Sequence, residues 1–346
     1  MVVVMGCDAT EDDVESVTAR VRSIGGDAFV SRGLYRTIIG LVGDVDEFRA
    51  LNLRRMRGVD DVIRVSTPYK LVSLEHRPER STVVVGADTT GGVPIGPETF
   101  TLIAGPCAVE SAAQTLEAAE MAKAAGASLL RGGAYKPRAS PTAFQGLGKE
   151  ALLILADARA STGLPVVTEV ADAADVDLVA SFADMLAVGA RNMENYALLQ
   201  AVGEAGKPVL LKRGHNATIE EWLMAAECIA QRGNLDIVLC ERGIRTFEPS
   251  TRHTLDISAV PVAQGLSHLP VVIDPTHAAG RRDLVLPLAR AAIAVGSDGI
   301  LVDMHPDPDA AHGDGPQALA GPDIRELASA VRRYPPLLGR RSPAEI

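Results

Sequence analysis

A (β/α)8 barrel preceded by a small α+β unit is the fold class the sequence predicts, on three observations. Short β-rich runs recur eight times from about residue 100 onward. Most of them follow an Ala-rich amphipathic stretch such as "AAQTLEAAEMAKAAG", so strand and helix alternate, as in a parallel barrel. Ahead of them, residues 1–70 read in the order βαββαβ, the ferredoxin-like arrangement.

The first unit follows from local signals. "MVVVMG" is strand-like, and "TEDDVESVTARVRSIGG" has helical periodicity, with Thr10 as its cap and Gly25 as its stop. "DAFVSRG" and "YRTIIGLVG" alternate like the two strands of a hairpin. "DVDEFRALNLRRM" predicts a second helix and "VDDVIRVS" a fourth strand. Residues 71–98 mix Pro, Gly and charge and predict a linker and short hairpin. The barrel is placed at 99–335 and a tail at 336–346. Its strand candidates are "FTLIA", "SLLRG", "LPVVTEV", "DMLAVGA", "KPVLLKRG", "LDIVLCERG", "LPVVIDPTH" and "GILVDMH". A doubly wound sheet is the competing pattern, weakened by the lack of a Gly-rich phosphate loop after the first strand.

Composition excludes several classes. The net charge is −10 and aromatics make up 3%, which disfavours nucleic-acid binding. No apolar run approaches the roughly 20 residues of a membrane span, and the N-terminus lacks a signal-peptide pattern. Cys7, Cys107, Cys228 and Cys240 are scattered with no C-x-x-C pair, which points to reduced thiols and a cytoplasmic location. Cys228 and Cys240 read as core packing.

In such barrels chemistry sits at the C-terminal strand ends, and two clusters fall there. Arg131, Lys136, Arg138, Arg191, Lys212, Arg242 and Arg245 form a cationic set. Gathering like charges is costly unless an anion neutralises them, so the set predicts a substrate with several negative groups. Any one of these residues, taken alone, reads as a solvated surface cation. Cys107, His277, Asp303 and Asp314 form the second set, a mixture of soft and hard donors suited to one divalent Mn, Fe, Co or Zn ion. Taken singly, Cys107 reads equally well as a buried inert thiol.

"AGPCAVES", "RGGAYKPRASPTAFQGLG", "TEV", "GARN", "LKRG", "CERGIRTFE", "DPTHAAG" and "DMHPDPDAAHGDGPQAL", in that order, resemble 3-deoxy-D-arabino-heptulosonate 7-phosphate (DAHP) synthase. The branch resembled carries a short ferredoxin-like N-terminal domain. The resemblance implies metal-dependent condensation of phosphoenolpyruvate with erythrose 4-phosphate, the first step toward aromatic amino acids, with release of phosphate. It assigns Cys107, His277 and Asp314 as metal ligands. Arg191 and Arg242 hold the phosphate of phosphoenolpyruvate, and Arg131, Lys136 and Lys212 surround its carboxylate and reacting carbons. Arg138 with Ser140 grips the phosphate of erythrose 4-phosphate. "KPR" separates the chain from the sister enzyme of eight-carbon sugar synthesis, which has a "KANRS"-like stretch there.

Two departures stand out. The family's usual Glu in "EVHP" is Asp303 in "DMHP", one methylene shorter. Its usual Thr after "KPR" is Ala139. In the implied mechanism Lys136 delivers a proton to the new alkoxide and Glu169 positions water. The N-terminal unit is implied to sense an aromatic amino acid, and the assembly to be a tetramer or dimer, with a chorismate mutase as a further partner. Two competing functions are a Schiff-base aldolase using Lys212 and a degenerate barrel retained as a non-catalytic regulatory partner of a chorismate mutase.

Overall fold

Thr10 and Asp13 start the first helix reciprocally. The Thr10 hydroxyl accepts from the Asp13 N–H at 3.3 Å, and the Asp13 carboxylate accepts from the Thr10 N–H at 2.9 Å, a capping box. The computed structural model describes residues 1–33, 36–63, 67–136 and 142–342. Its contacts divide the chain into two units, Met1–Pro68 and Tyr69–Ile346.

In the first unit, strands β1 (Val2–Met5), β2 (Asp27–Arg32), β3 (Thr37–Val42) and β4 (Val59–Ile63) form an antiparallel sheet in the order β2-β3-β1-β4. With helices α1 (Glu11–Arg22) and α2 (Val45–Ala50), this is the ferredoxin-like order. Val14, Val17 and Val21 on one face of α1 pack on Val3, Met5 and Ile39 of the sheet. The second helix is shorter than its sequence run. Asn52 takes a left-handed φ of 51°, which ends the α-helical path, and Leu53–Arg55 continues as one 3-10 turn.

The second unit begins with a hairpin, β5 (Val83–Val85) and β6 (Val93–Ile95). Eight parallel strands follow: β7 (Thr101–Gly105), β8 (Leu129–Arg131), β9 (Val166–Val170), β10 (Met185–Val188), β11 (Val209–Lys212), β12 (Ile237–Glu241), β13 (Val271–Ile273) and β14 (Gly299–Asp303). They form a closed barrel, sealed where β14 pairs with β7 from Gly299↔Thr101 to Asp303↔Gly105. These are the eight runs read in the sequence. Each is buried on both faces, so each reads as a nearly unbroken apolar run.

Inside the barrel, Ile103, Leu129, Val167, Met185, Leu210, Val238, Cys240, Val272 and Leu301 form one cluster with Val83, Val85 and Ile95 of the hairpin. The hairpin therefore plugs the N-terminal end, and residues 71–98 belong to the barrel unit. Cys240 is core, as its place in the sequence suggested, and burial pushes its thiol well up.

The same end is pinned by buried carboxylates. Asp298 accepts from the Val271 N–H at 2.7 Å and pairs with Arg80 and with Arg340, the latter at 2.8 Å. Removing it leaves two largely buried guanidinium groups uncompensated. Asp298→Ala is expected to destabilise the barrel by about 3–5 kcal/mol, measured by denaturant unfolding. A midpoint equal to the parent's would refute the pinning role. Among the described residues no helix is long and apolar enough to cross a membrane.

Candidate active site

The opposite end of the barrel carries the polar residues. β7 ends at Gly105, whose φ of 151° and whose phantom Cβ, 2.1 Å from the Arg131 carbonyl oxygen, admit only glycine. The turn that follows delivers Cys107 to the barrel mouth. Helix α3 (Pro275–Ala279) starts directly after β13, with Pro275 in its first turn. Its cap is Asp274, whose Oδ1 accepts from the His277 N–H at 3.0 Å and from the Thr276 hydroxyl at 3.0 Å. The same carboxylate turns Oδ2 toward His277 Nδ1 at 2.8 Å and Lys212 Nζ at 3.0 Å. The Nδ1 contact is out of line with the ring N–H, so it is an ion-pair separation and not a straight hydrogen bond.

Cys107, His277 and Asp303 each place a donor atom within 4.8 Å of the other two. Sγ of Cys107 is 3.8 Å from His277 Nε2 and 3.1 Å from Asp314 Oδ2. Asp314 holds a left-handed φ of 59°, a conformation aspartate tolerates better than most residues. A thiol, an imidazole and carboxylates gathered this closely fit a first-row divalent ion. Asp303 therefore faces the donor set despite its shorter side chain. It is also held from behind by Arg131 at 2.7 Å and Gln317 at 2.6 Å.

The electrostatics follow. Burial pulls the His277 imidazolium down, but Asp274 and Asp303 outweigh it and raise the group to about 9. Burial and Asp303 push the Cys107 thiol up, while Lys136, Arg131 and His277 together prevail and lower it. Lys136 Nζ lies 3.0 Å from that sulfur and 2.9 Å from the Cys107 carbonyl oxygen.

A cleft of about 310 Å³ opens beside these donors, lined by Lys136, Glu169, Arg191, Lys212, Arg242 and other polar groups. Glu169 reaches it because residue 189 is glycine: a Cβ there would lie 2.2 Å from Glu169 Oε1.

The cationic set divides in two. Arg131 is paired with Asp303 and Lys212 with Asp274, both pairs buried. Arg242 is buried, and among the described residues its Nη1 has no hydrogen-bond partner; its Nη2 makes a 3.4 Å contact to the His277 carbonyl oxygen. Arg191 and Arg245 likewise have no carboxylate within ion-pair distance among the described residues. Arg138 and Ser140 lie outside the described residues. Arg213, next to Lys212, is fixed by Glu241 at 2.9 Å and Asp256 at 2.8 Å. Lys212 is raised: burial lowers it most, and Asp274 together with Cys240 and Glu169 more than offsets this, so it stands as an ammonium and not as a free amine.

Residues 80–337 match the DAHP synthetase I family, and residues 1–67 match the DAHP synthase ferredoxin-like domain. The chain belongs to the DAHP synthetase I family. It is 47% identical over 344 residues to a phospho-2-dehydro-3-deoxyheptonate aldolase of Thermotoga maritima, covering 98% of this chain and 99% of that one. A crystal structure of the Thermotoga maritima DAHP synthase superposes with a TM-score of 0.88 at 46% identity, covering 98% of each chain. A 2-dehydro-3-deoxyphosphooctonate aldolase of Nitrobacter winogradskyi is 36% identical, over 71% of this chain and 90% of its own.

The sequence reading of this family member missed three cleft residues, His215, Arg252 and His253. Arg252 donates from Nη1 to Asp314 Oδ1 at 2.9 Å. Its loop folds back through an Ile244↔Thr254 bridge and bonds α3 through Arg252 N to Ala279 O at 3.1 Å and His253 N to Ala278 O at 2.9 Å. The available signal was the rarity of histidine, seven in the chain, with His215 directly after "LKRG" and His253 eight residues after "CERGIR".

Proposed function

We propose that the chain condenses phosphoenolpyruvate with erythrose 4-phosphate to give DAHP and phosphate, with one divalent ion held by Cys107, His277, Asp303 and Asp314. The observation that carries this is a compact thiol–imidazole–carboxylate set on one wall of a cleft, with the unpartnered, buried Nη1 of Arg242 on another. The ion would polarise the aldehyde oxygen as a Lewis acid.

The protein's own groups then divide the work. Arg242 and Arg191 grip the phosphate of phosphoenolpyruvate by charge-assisted bonds. Arg131 and Lys212 hold the carboxylate end, each kept in place by its own aspartate. Arg138 and Ser140 bind the phosphate of erythrose 4-phosphate. Lys136 delivers a proton to the oxygen on which charge builds, and Glu169 orients the water that attacks carbon 2. Holding both substrates in one cleft supplies the orientation that a bimolecular step otherwise lacks. The N-terminal unit is assigned to sensing an aromatic amino acid, in a homo-oligomer.

The Schiff-base alternative is disfavoured by the ammonium state of Lys212 beside Asp274. The test is phosphate release with both substrates before and after chelation. Release is expected only with both present, abolished by chelation and restored by Mn, Fe, Co or Zn. Full release from metal-stripped protein would overturn the metal role, and release without erythrose 4-phosphate the condensation.

A further inference from the structure

His215 and His253 come from different loops and stack in the cleft, ring centroids 4.5 Å apart and planes inclined by 26°. Their backbones fix them: the His215 carbonyl accepts from Arg245 N at 2.7 Å, and His253 N donates to α3. Among the described residues neither imidazole has a carboxylate partner within ion-pair distance, and Nδ1 of His253 is buried with no hydrogen-bond partner. Two unsatisfied groups, this nitrogen and Arg242 Nη1, thus belong to the lining of one cleft. A buried polar atom left unpaired is costly, and sites for absent ligands are where such atoms collect.

The charges that face the pair are mostly positive. Arg191 follows β10, Lys212 ends β11, Arg242 and Arg245 follow β12, and Arg252 adjoins His253. The acids of the same cleft are Glu169 and Asp314, the latter engaged by Arg252 and Cys107. Burial first, then Arg242, Arg191 and Arg245, lowers His215 to about 4. Burial, then Arg242, His215 and neighbouring arginines, lowers His253 to about 3. Both rings are therefore neutral at pH 7 in the open cleft. A neutral imidazole nitrogen presents a lone pair, which repels an approaching phosphate oxygen; the protonated ring donates to it.

We propose that the stacked His215–His253 pair is part of the phosphate site and takes up a proton from solvent when a phosphoryl dianion enters beside Arg191 and Arg242. The dianion cancels the arginine field that keeps the rings neutral. The proton adds to one ring nitrogen, the phosphate stays doubly ionised, and the stacked neutral ring offers its π face to the new charge. Binding of a phosphorylated substrate is then proton-linked, and departure of phosphate returns the proton. This deepens the functional reading above and rests on it.

The test uses the full-length protein and phosphoenolpyruvate in a titration calorimeter, above pH ~7, where a phosphate monoester is already the dianion. Buffers of different ionisation enthalpy report the protons exchanged. Net proton uptake is expected for the parent, with affinity falling as pH rises, by up to about tenfold per unit for one linked proton. His215→Asn with His253→Asn is expected to bind still, with the uptake lost, because the phosphate is already the dianion and no imidazole remains in the pair to take up a proton. A parent that binds without uptake overturns the role of the pair, even if the variant fails to fold. A folded variant with the parent's proton count does the same. A parent that does not bind phosphoenolpyruvate in any buffer overturns the functional reading and this inference with it.

Discussion

Cys107→Ala is expected to lower kcat on the order of 10³-fold while leaving the protein folded. A Lewis acid at a developing alkoxide contributes several kcal/mol to transition-state stabilisation, and about 1.4 kcal/mol is a factor of ten in rate. The sulfur is the one soft donor in the set. Without it the remaining imidazole and carboxylates still attract divalent ions, but with less preference for the thiophilic ones. Cys107 is almost fully buried, yet the truncation removes a single atom from a polar wall, so the cost to folding is small. The change also removes the sulfur 3.0 Å from the Lys136 ammonium, which keeps its 2.9 Å bond to the backbone carbonyl of residue 107. Two measurements separate the metal role from a purely structural one: metal content of the purified variant by elemental analysis, expected to fall, and melting temperature, expected to hold. Parent-level activity in the metal-stripped variant would sink the assignment.

The barrel was legible because its strands are buried on both faces. "LPVVTEV" and "LDIVLCERG" carry the apolar density that parallel strands need, and Gly or Pro marks their ends. The strand-end residues were legible for the same reason, since a residue just after an apolar run has one place to be. What those residues touch was not. Arg131 on β8 meets Asp303 on β14, 172 positions away and two strands round the barrel. Read in sequence, Arg131 is one more cation for the substrate; in space it is half of a buried pair. The second helix was overestimated because Asn52 looks like any helical polar residue until its φ is known. His253 and Arg252 were missed because a loop folding back onto α3 leaves no periodic trace.

Arg242→Met is expected to lower kcat/KM for phosphoenolpyruvate on the order of 10²-fold, from one or two lost charge-assisted hydrogen bonds at about 1.5–3 kcal/mol each. Most of the change is expected in KM, because the phosphate is held before and during the reaction. The melting temperature is expected to move the other way. Arg242 keeps a buried guanidinium nitrogen with no partner, and burial, then the nearby Arg252, lowers its pKa despite Asp274 and Cys240. A charge in that position costs the folded state, and replacing it by an unbranched apolar chain of similar length removes the cost. Arg213 is the internal control: similarly buried but paired with Glu241 and Asp256, it should destabilise on the same replacement. Adding inorganic phosphate should raise the melting temperature of the parent and of the Arg213 variant where folded, but not of Arg242→Met, since only a ligand that binds the native state stabilises it. A group retained against stability at the mouth of a barrel is most simply explained by the anion it waits for. An Arg242→Met protein that melts lower than the parent, yet keeps both its KM and its response to phosphate, would show that the guanidinium serves packing alone.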